Sequence, residues 1–133
     1  MFEISEIKLM PLTNTEKSFE RLFQQGLIEF KQKMYYEAHE SWEELWKNRN
    51  LTDRIFIQGL IQLAASLFKV QTGNMRGAQS LLKKCKNKFI EYEGVQRGIN
   101  VKNLKYAIGR LEEKYIFIKS FEELPPSYIP ELD

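Results

Sequence analysis

The sequence predicts an all-α fold, a single-domain bundle of about five helices with a buried central helix. Three observations carry this. Apolar residues recur at three- and four-residue steps along most of the chain, the period of a helix with one face in a core. No segment sustains the alternation of a half-buried strand. Residues 55–70 place Ile55, Phe56, Ile57, Leu60, Ile61, Leu63, Ala64, Leu67, Phe68 and Val70 around most of a helix's circumference, which marks a helix packed on several sides. At 133 residues and 43% hydrophobic, the chain has the size and bulk of one globular domain spanning 1–133. Its helical core is expected over about 15–119, with a proline-containing tail over 120–133.

The first helix is expected from the spacing of Phe19, Leu22, Phe23, Leu27 and Phe30, with Thr13 and Glu16 in a capping-box arrangement. A second covers about 35–48, separated from the first near Lys33 without a glycine or proline break. The third is capped by Thr52 or Asp53 and runs to about Thr72, where Gly73 suits the left-handed position that ends helices. Gly59, Ala64 and Ala65 allow its neighbours to come close. Asn74 suits the cap of a fourth helix that Gly94 ends, and Asn100 the cap of a fifth, after a loop at 94–100. The tail "ELPPSYIPELD" is expected to be extended, because its three prolines remove helix donors. Phe121 and Tyr128 in this region would pack on the body or across a homodimer, and Met10, Met34 and Met75 read as packing residues.

Charge and cysteine usage narrow the function classes. Twenty Lys and Arg against eighteen Asp and Glu leave a net charge of +2, which argues against a dedicated nucleic-acid binder. Lys83, Lys84, Lys86 and Lys88 form a basic run on the fourth helix that reads as a solvated face, with RNA or an acidic partner as the alternative. The single cysteine, Cys85, permits no internal disulfide and suits a reducing, cytoplasmic compartment. It is expected to be a buried, inert thiol, not a nucleophile made acidic by nearby lysines. The longest apolar stretch is about fourteen residues and falls short of the roughly twenty that a membrane-spanning helix needs. The N-terminus shows no secretory signal pattern, and no phosphate loop, G-x-S-x-G or zinc-finger spacing occurs.

The candidate chemistry lies in "YYEAHESWEELW", which holds the only histidine and both tryptophans. His39, Glu43 and Trp46 share a helix face with Trp42 beside them, and Glu37, Glu40 and Glu44 form a neighbouring row. On the third helix Gln58, Gln62, Ser66 and Lys69 form a polar stripe that needs partners if buried. One reading is a metal or acid/base site on His39, Glu43 and Glu40, although the Glu-x-x-His step of di-iron bundles is absent, Tyr36 standing where the Glu would be. A second is a hydrogen-bonded seam in which Glu43 accepts from Gln62 or Lys69 and His39 bonds Gln58. A third is a small-ligand pocket lined by Trp42, Trp46, His39, Gln58 and Gln62.

"MYYEAHESWEELW", followed by "FIQGLIQLAASLFK" and "TGNMRGAQSLL", resembles the domain of unknown function 309 family. The resemblance covers roughly residues 19–90 and rests on three motifs in order: Tyr-Glu-Ala-His-Glu with Trp-Glu-x-x-Trp, Gln-Gly-Leu-Ile-Gln, and Gly-Asn-x-x-Gly-Ala. It implies a small, all-helical, mostly prokaryotic protein, and no activity. The motif positions it marks are Glu37, His39, Glu40, Trp42, Glu43, Trp46, Gln58, Gly59, Gln62, Asn74 and Gly77. Many members carry a histidine where this chain has Lys69, a poor metal ligand because it is protonated near neutral pH. No cofactor or metal is therefore expected. The expected function is a module binding a small ligand or protein partner through Glu37, His39, Glu40, Trp42, Glu43, Trp46, Gln58, Gln62 and Lys69. The alternatives are a hydrolase-like enzyme, with or without a metal, using Glu43 or Glu40 with His39, its substrate oriented by Gln58 and Gln62, and RNA association.

Overall fold

A computed structural model describes residues 14–132, with side chains from residue 17. Thr13, Glu16 and Met10, and with them the expected capping box, lie outside the residues so described. Five helices follow in order: α1 (Asn14–Lys31), α2 (Tyr35–Trp46), α3 (Arg54–Gln71), α4 (Met75–Lys88) and α5 (Val101–Tyr115). Each packs mainly on its sequence neighbours, and α3 is covered by both α2 and α4. The buried positions keep helical periodicity: Tyr35, Ala38, Trp42 and Leu45 on α2, and Val101, Leu104, Ile108, Leu111 and Tyr115 on α5. Gly59 gives α3 its close contact with α4, where a Cβ would stand 2.7 Å from the buried ring of Phe89. Ala64 is sealed in the core, whereas Ala65 is on the half-exposed side of α3.

Local backbone chemistry explains most helix ends. Gly73 has φ +79, and the amide of Asn74 reaches back to the Lys69 carbonyl at 2.8 Å, closing α3. The turn after α1 has the same bonding, Met34 N–H to Glu29 O at 2.8 Å, but seats Lys33 in the left-handed region at φ +63. Asn74 and Asn100 cap α4 and α5, accepting from the amides of Gly77 at 2.8 Å and Asn103 at 3.0 Å.

Asp53 departs from the expected cap. Its backbone holds the N-cap position of α3, but its side chain makes no cap bond. Its carboxylate is instead gripped by Arg97 through Nε to Oδ2 and through Nη2 to Oδ1 at 3.1 Å. The amide of Phe56, left without that cap, donates to the Tyr92 hydroxyl at 3.2 Å. Arg97 sits in a tight turn, φ +51 and followed by Gly98, between β1 (Val95–Gln96) and β2 (Ile99–Asn100). The expected loop is thus a two-residue antiparallel ladder. Helix α4 also stops at Lys88, six residues before Gly94, with Phe89 buried beyond its end.

The tail is not simply extended. It makes two single 3₁₀ turns, at Phe121–Glu123 and Pro126–Tyr128, and buries Leu124, Pro130 and Leu132. Phe121 meets Tyr35 edge-on at 6.1 Å, and Tyr128 lies under the guanidinium of Arg110 at 4.4 Å. Of the methionines, Met75 packs on the core while Met34 is exposed. Among the described residues no helix is long and apolar enough to cross a membrane.

Candidate functional site

The site builds from the register of α2 against α3. Tyr36, His39, Glu43 and Trp46 recur on α2 at steps of three, four and three. Arg54, Gln58, Ile61, Ala65 and Phe68 recur on α3 at steps of four and three, and all are half-exposed. The helices run antiparallel, and aromatic contacts tie these stripes at both ends. The rings of Tyr36 and Phe68 stand 5.2 Å apart at one end. At the other, Arg54 Nε donates to the Trp46 carbonyl at 3.1 Å, its guanidinium lying 4.1 Å over the Trp46 ring. Ten residues separate Tyr36 from Trp46, so the bounded face is about 15 Å long.

His39 and Glu43 occupy the middle of this face. Their side chains pair within α2, Nε2 to Oε2 at 2.9 Å, and are 25% and 48% exposed. Tyr36 flanks the imidazole with a centroid separation of 5.8 Å. Gln62 brings an amide oxygen that is buried and without a hydrogen-bond partner. Glu37, Glu40 and Glu44 project from α2 as exposed carboxylates. Beside the Tyr36 end, a shallow cleft of about 250 Å³ opens between Met34, Tyr36, Glu37, Phe68 and Gln71.

The expected seam does not form. Its three pairings fail for one geometric reason: the register brings Gln58 level with Glu43 and Gln62 level with the turn holding His39. Lys69, beside Phe68, is level with Tyr36 and about two turns, roughly 10 Å, from Glu43. Glu43 takes its partner from the next turn of its own helix, which orders fewer groups than a bond across helices. The Lys69 side chain makes no ion pair among the described residues, and its backbone carbonyl serves the helix end. Ser66 also leaves the stripe: it points inward, donating to the Ala78 carbonyl at 2.7 Å and bonding the Tyr115 hydroxyl at 2.9 Å.

Trp42 does not line the face. It is fully buried, its indole N–H donating to the Phe23 carbonyl at 3.1 Å and its ring packed between α1 residues Phe23 and Phe30. Among the described residues no three His, Cys, Asp or Glu side chains converge as a metal cluster. The fourth-helix lysines diverge, since Lys83 and Lys84 face solvent, Lys86 pairs with Glu112 at 3.0 Å, and Lys88 packs beside Gly59. Burial pushes the Cys85 thiol well above its usual range, with Lys88 opposing weakly, so it stays protonated and inert. Tyr36, Arg54 and Phe68 are the residues that the motif reading missed. Their signal was present in the sequence, because each continues the helical stripe that carries His39 or Gln58.

A cavity of about 560 Å³ lies elsewhere, between the α1–α2 turn, the start of α5 and the tail. Tyr35 contributes to its wall, while the Tyr35 hydroxyl is buried without a partner and pushed up to about 12 by that burial. None of the motif side chains lines it.

Fold and site together define a small all-α protein with a polar-aromatic face across two adjacent helices. The model of the family described as Domain of unknown function (DUF309) matches residues 23–81, the stretch from the middle of α1 into α4, so this stretch is similar to that family. No curated protein and no solved structure matches the chain.

Proposed function

We propose that the α2–α3 face is a recognition surface for a small ligand or a partner protein, and that it engages hydrogen-bond donors such as amides, amines or guanidinium groups. The observation that carries this reading is the half-exposed His39–Glu43 pair, held between two aromatic bookends instead of being sealed in a satisfied core network. The exposed carboxylates of Glu37, Glu40 and Glu43 supply acceptors of the matching kind. Lys69 borders the face and limits its negative charge. A single cysteine buried in the core suits a reducing, cytoplasmic setting.

The His39–Glu43 pair also has the form of an oriented acid/base, which keeps hydrolase-like chemistry as the second reading. The test combines stability with binding. His39→Ala and Glu43→Gln are each expected to move unfolding free energy by no more than about 0.5 kcal/mol, as surface changes do. Titration with an N-acetylated arginine amide is expected to shift the backbone amide resonances of positions 39, 40 and 43 in the parent and not in the two variants. A loss of several kcal/mol in both would return the cluster to a purely structural role, and unmoved resonances in the parent would remove the donor-binding reading.

A further inference from the structure

Helix α5 carries an outward stripe that is largely open, the tail reaching it only where Tyr128 lies against Arg110. Tyr106, Arg110, Glu113 and Phe117 follow at steps of four, three and four, along α5 and just past its end. This is the seam spacing of a coiled coil. Tyr106 and Phe117 are 70% and 77% exposed, unusual for large aromatics at both ends of one stripe. Between them lie one cation and one anion. Arg110 stacks on Tyr128, and neither its edge nor the Glu113 carboxylate has an ion-pair partner among the described residues.

The order aromatic, cation, anion, aromatic is complementary to itself when reversed. Placed antiparallel against the same stripe, Arg110 meets Glu113 of the other copy, Glu113 meets the other Arg110, and each Tyr106 meets the other Phe117. All four contacts fall at one register, as the alternating layers of an antiparallel two-helix seam require. Gly109, beside the stripe, has open space where a Cβ would be, so the two backbones can come close. A closed two-fold contact needs a self-complementary patch of this kind.

We propose that this chain associates with a second copy of itself through α5, as an antiparallel two-helix contact centred between Arg110 and Glu113. One helix from each copy buries less than the roughly 1,200 Å² of standard stable interfaces, so the dimer is reversible and concentration-dependent. The surface lies apart from the α2–α3 face and does not rest on the function assigned to it.

Sedimentation equilibrium of the full chain, from micromolar to near-millimolar concentration, tests this. The parent is expected to shift from monomer to dimer. Arg110→Glu alone and Glu113→Arg alone each turn two attractions into two repulsions and are expected to weaken association about tenfold. The double reversal, Arg110→Glu with Glu113→Arg, is expected to restore it to within about threefold, and Phe117→Ser to abolish it. Thermal melts of these exposed-site variants confirm that each is folded. A monomer at every concentration overturns the proposal. So does a dimer insensitive to the single reversals, or one that the double reversal does not rescue.

Discussion

Gly26 and Trp42 meet where α1 crosses α2, and the contact is set by the absence of one carbon. A Cβ at position 26 would stand 2.5 Å from Cδ1 of the indole and closer still to Nε1 and Cε2. The indole cannot move aside, because it is fully buried, bonded to the Phe23 carbonyl and packed against Phe30. Replacing glycine by alanine inside a helix ordinarily stabilises by about 0.5–1 kcal/mol. Gly26→Ala is expected to have the opposite sign and to destabilise by about 1–3 kcal/mol, the cost of overpacking, read from the urea midpoint at unchanged slope. An alanine variant as stable as the parent would show that the indole has room to shift. Trp42 thereby serves the core, which helix spacing alone could not reveal: it places Trp42 beside His39 and Glu43, but only the position of α1 decides that it turns inward.

The hairpin at 95–100 is fastened to the start of α3 by the Asp53–Arg97 pair, whose side chains are 9% and 18% exposed. Burial pushes the Asp53 carboxyl up. The guanidinium of Arg97, by hydrogen bond and charge, outweighs this together with the amide of Gln96 and holds the carboxyl below the usual carboxylate value of 3.8. A depressed folded value means that the pair's stabilisation is complete above about pH 4 and disappears as pH falls through the still lower folded value. Urea unfolding is therefore expected to show an acid-side loss below pH 3.8 that is smaller in Asp53→Asn. Arg97→Gly relieves the left-handed backbone yet strands Asp53, so a net loss of about 3–5 kcal/mol is expected near neutral pH. At this scale the sequence was legible wherever the rule is local. Gly73, Asn74 and Asn100 do what their chemistry dictates within a few residues. Asp53 looked like another cap because its real partner lies 44 residues away. The His39–Glu43 pair was visible as a four-residue step, whereas its placement facing solvent depended on the register between two helices, which neither helix encodes alone.

Helices that pack in chain order leave the first and last of the array each with a flank to cover, and here the C-terminal tail does so. Leu124 and Leu132 are buried, Phe121 closes on Tyr35 at the start of α2, and Tyr128 lies beneath Arg110 and Lys114 of α5. The tail thus links the α1–α2 turn to α5 and roofs the 560 Å³ cavity between them. Its prolines announced where helix stops, but the apolar residues between them are too few to show a periodicity that would assign them to the core. If the tail is part of the domain, removing residues 120–133 strips two buried leucines, each worth about 1.5–3 kcal/mol, and uncovers the ring of Tyr35. For a domain of this size each kcal/mol moves the melting temperature by roughly 3–5 °C. Truncation after Lys119 is therefore expected to lower Tm by at least about 10 °C, with a broader transition by circular dichroism. Leu132→Ala in the full chain separates packing from chain length and is expected to reproduce a loss of about 2–4 kcal/mol. A truncated chain that melts with the parent would confine the cooperative unit to the five helices and make the tail a passenger on their surface.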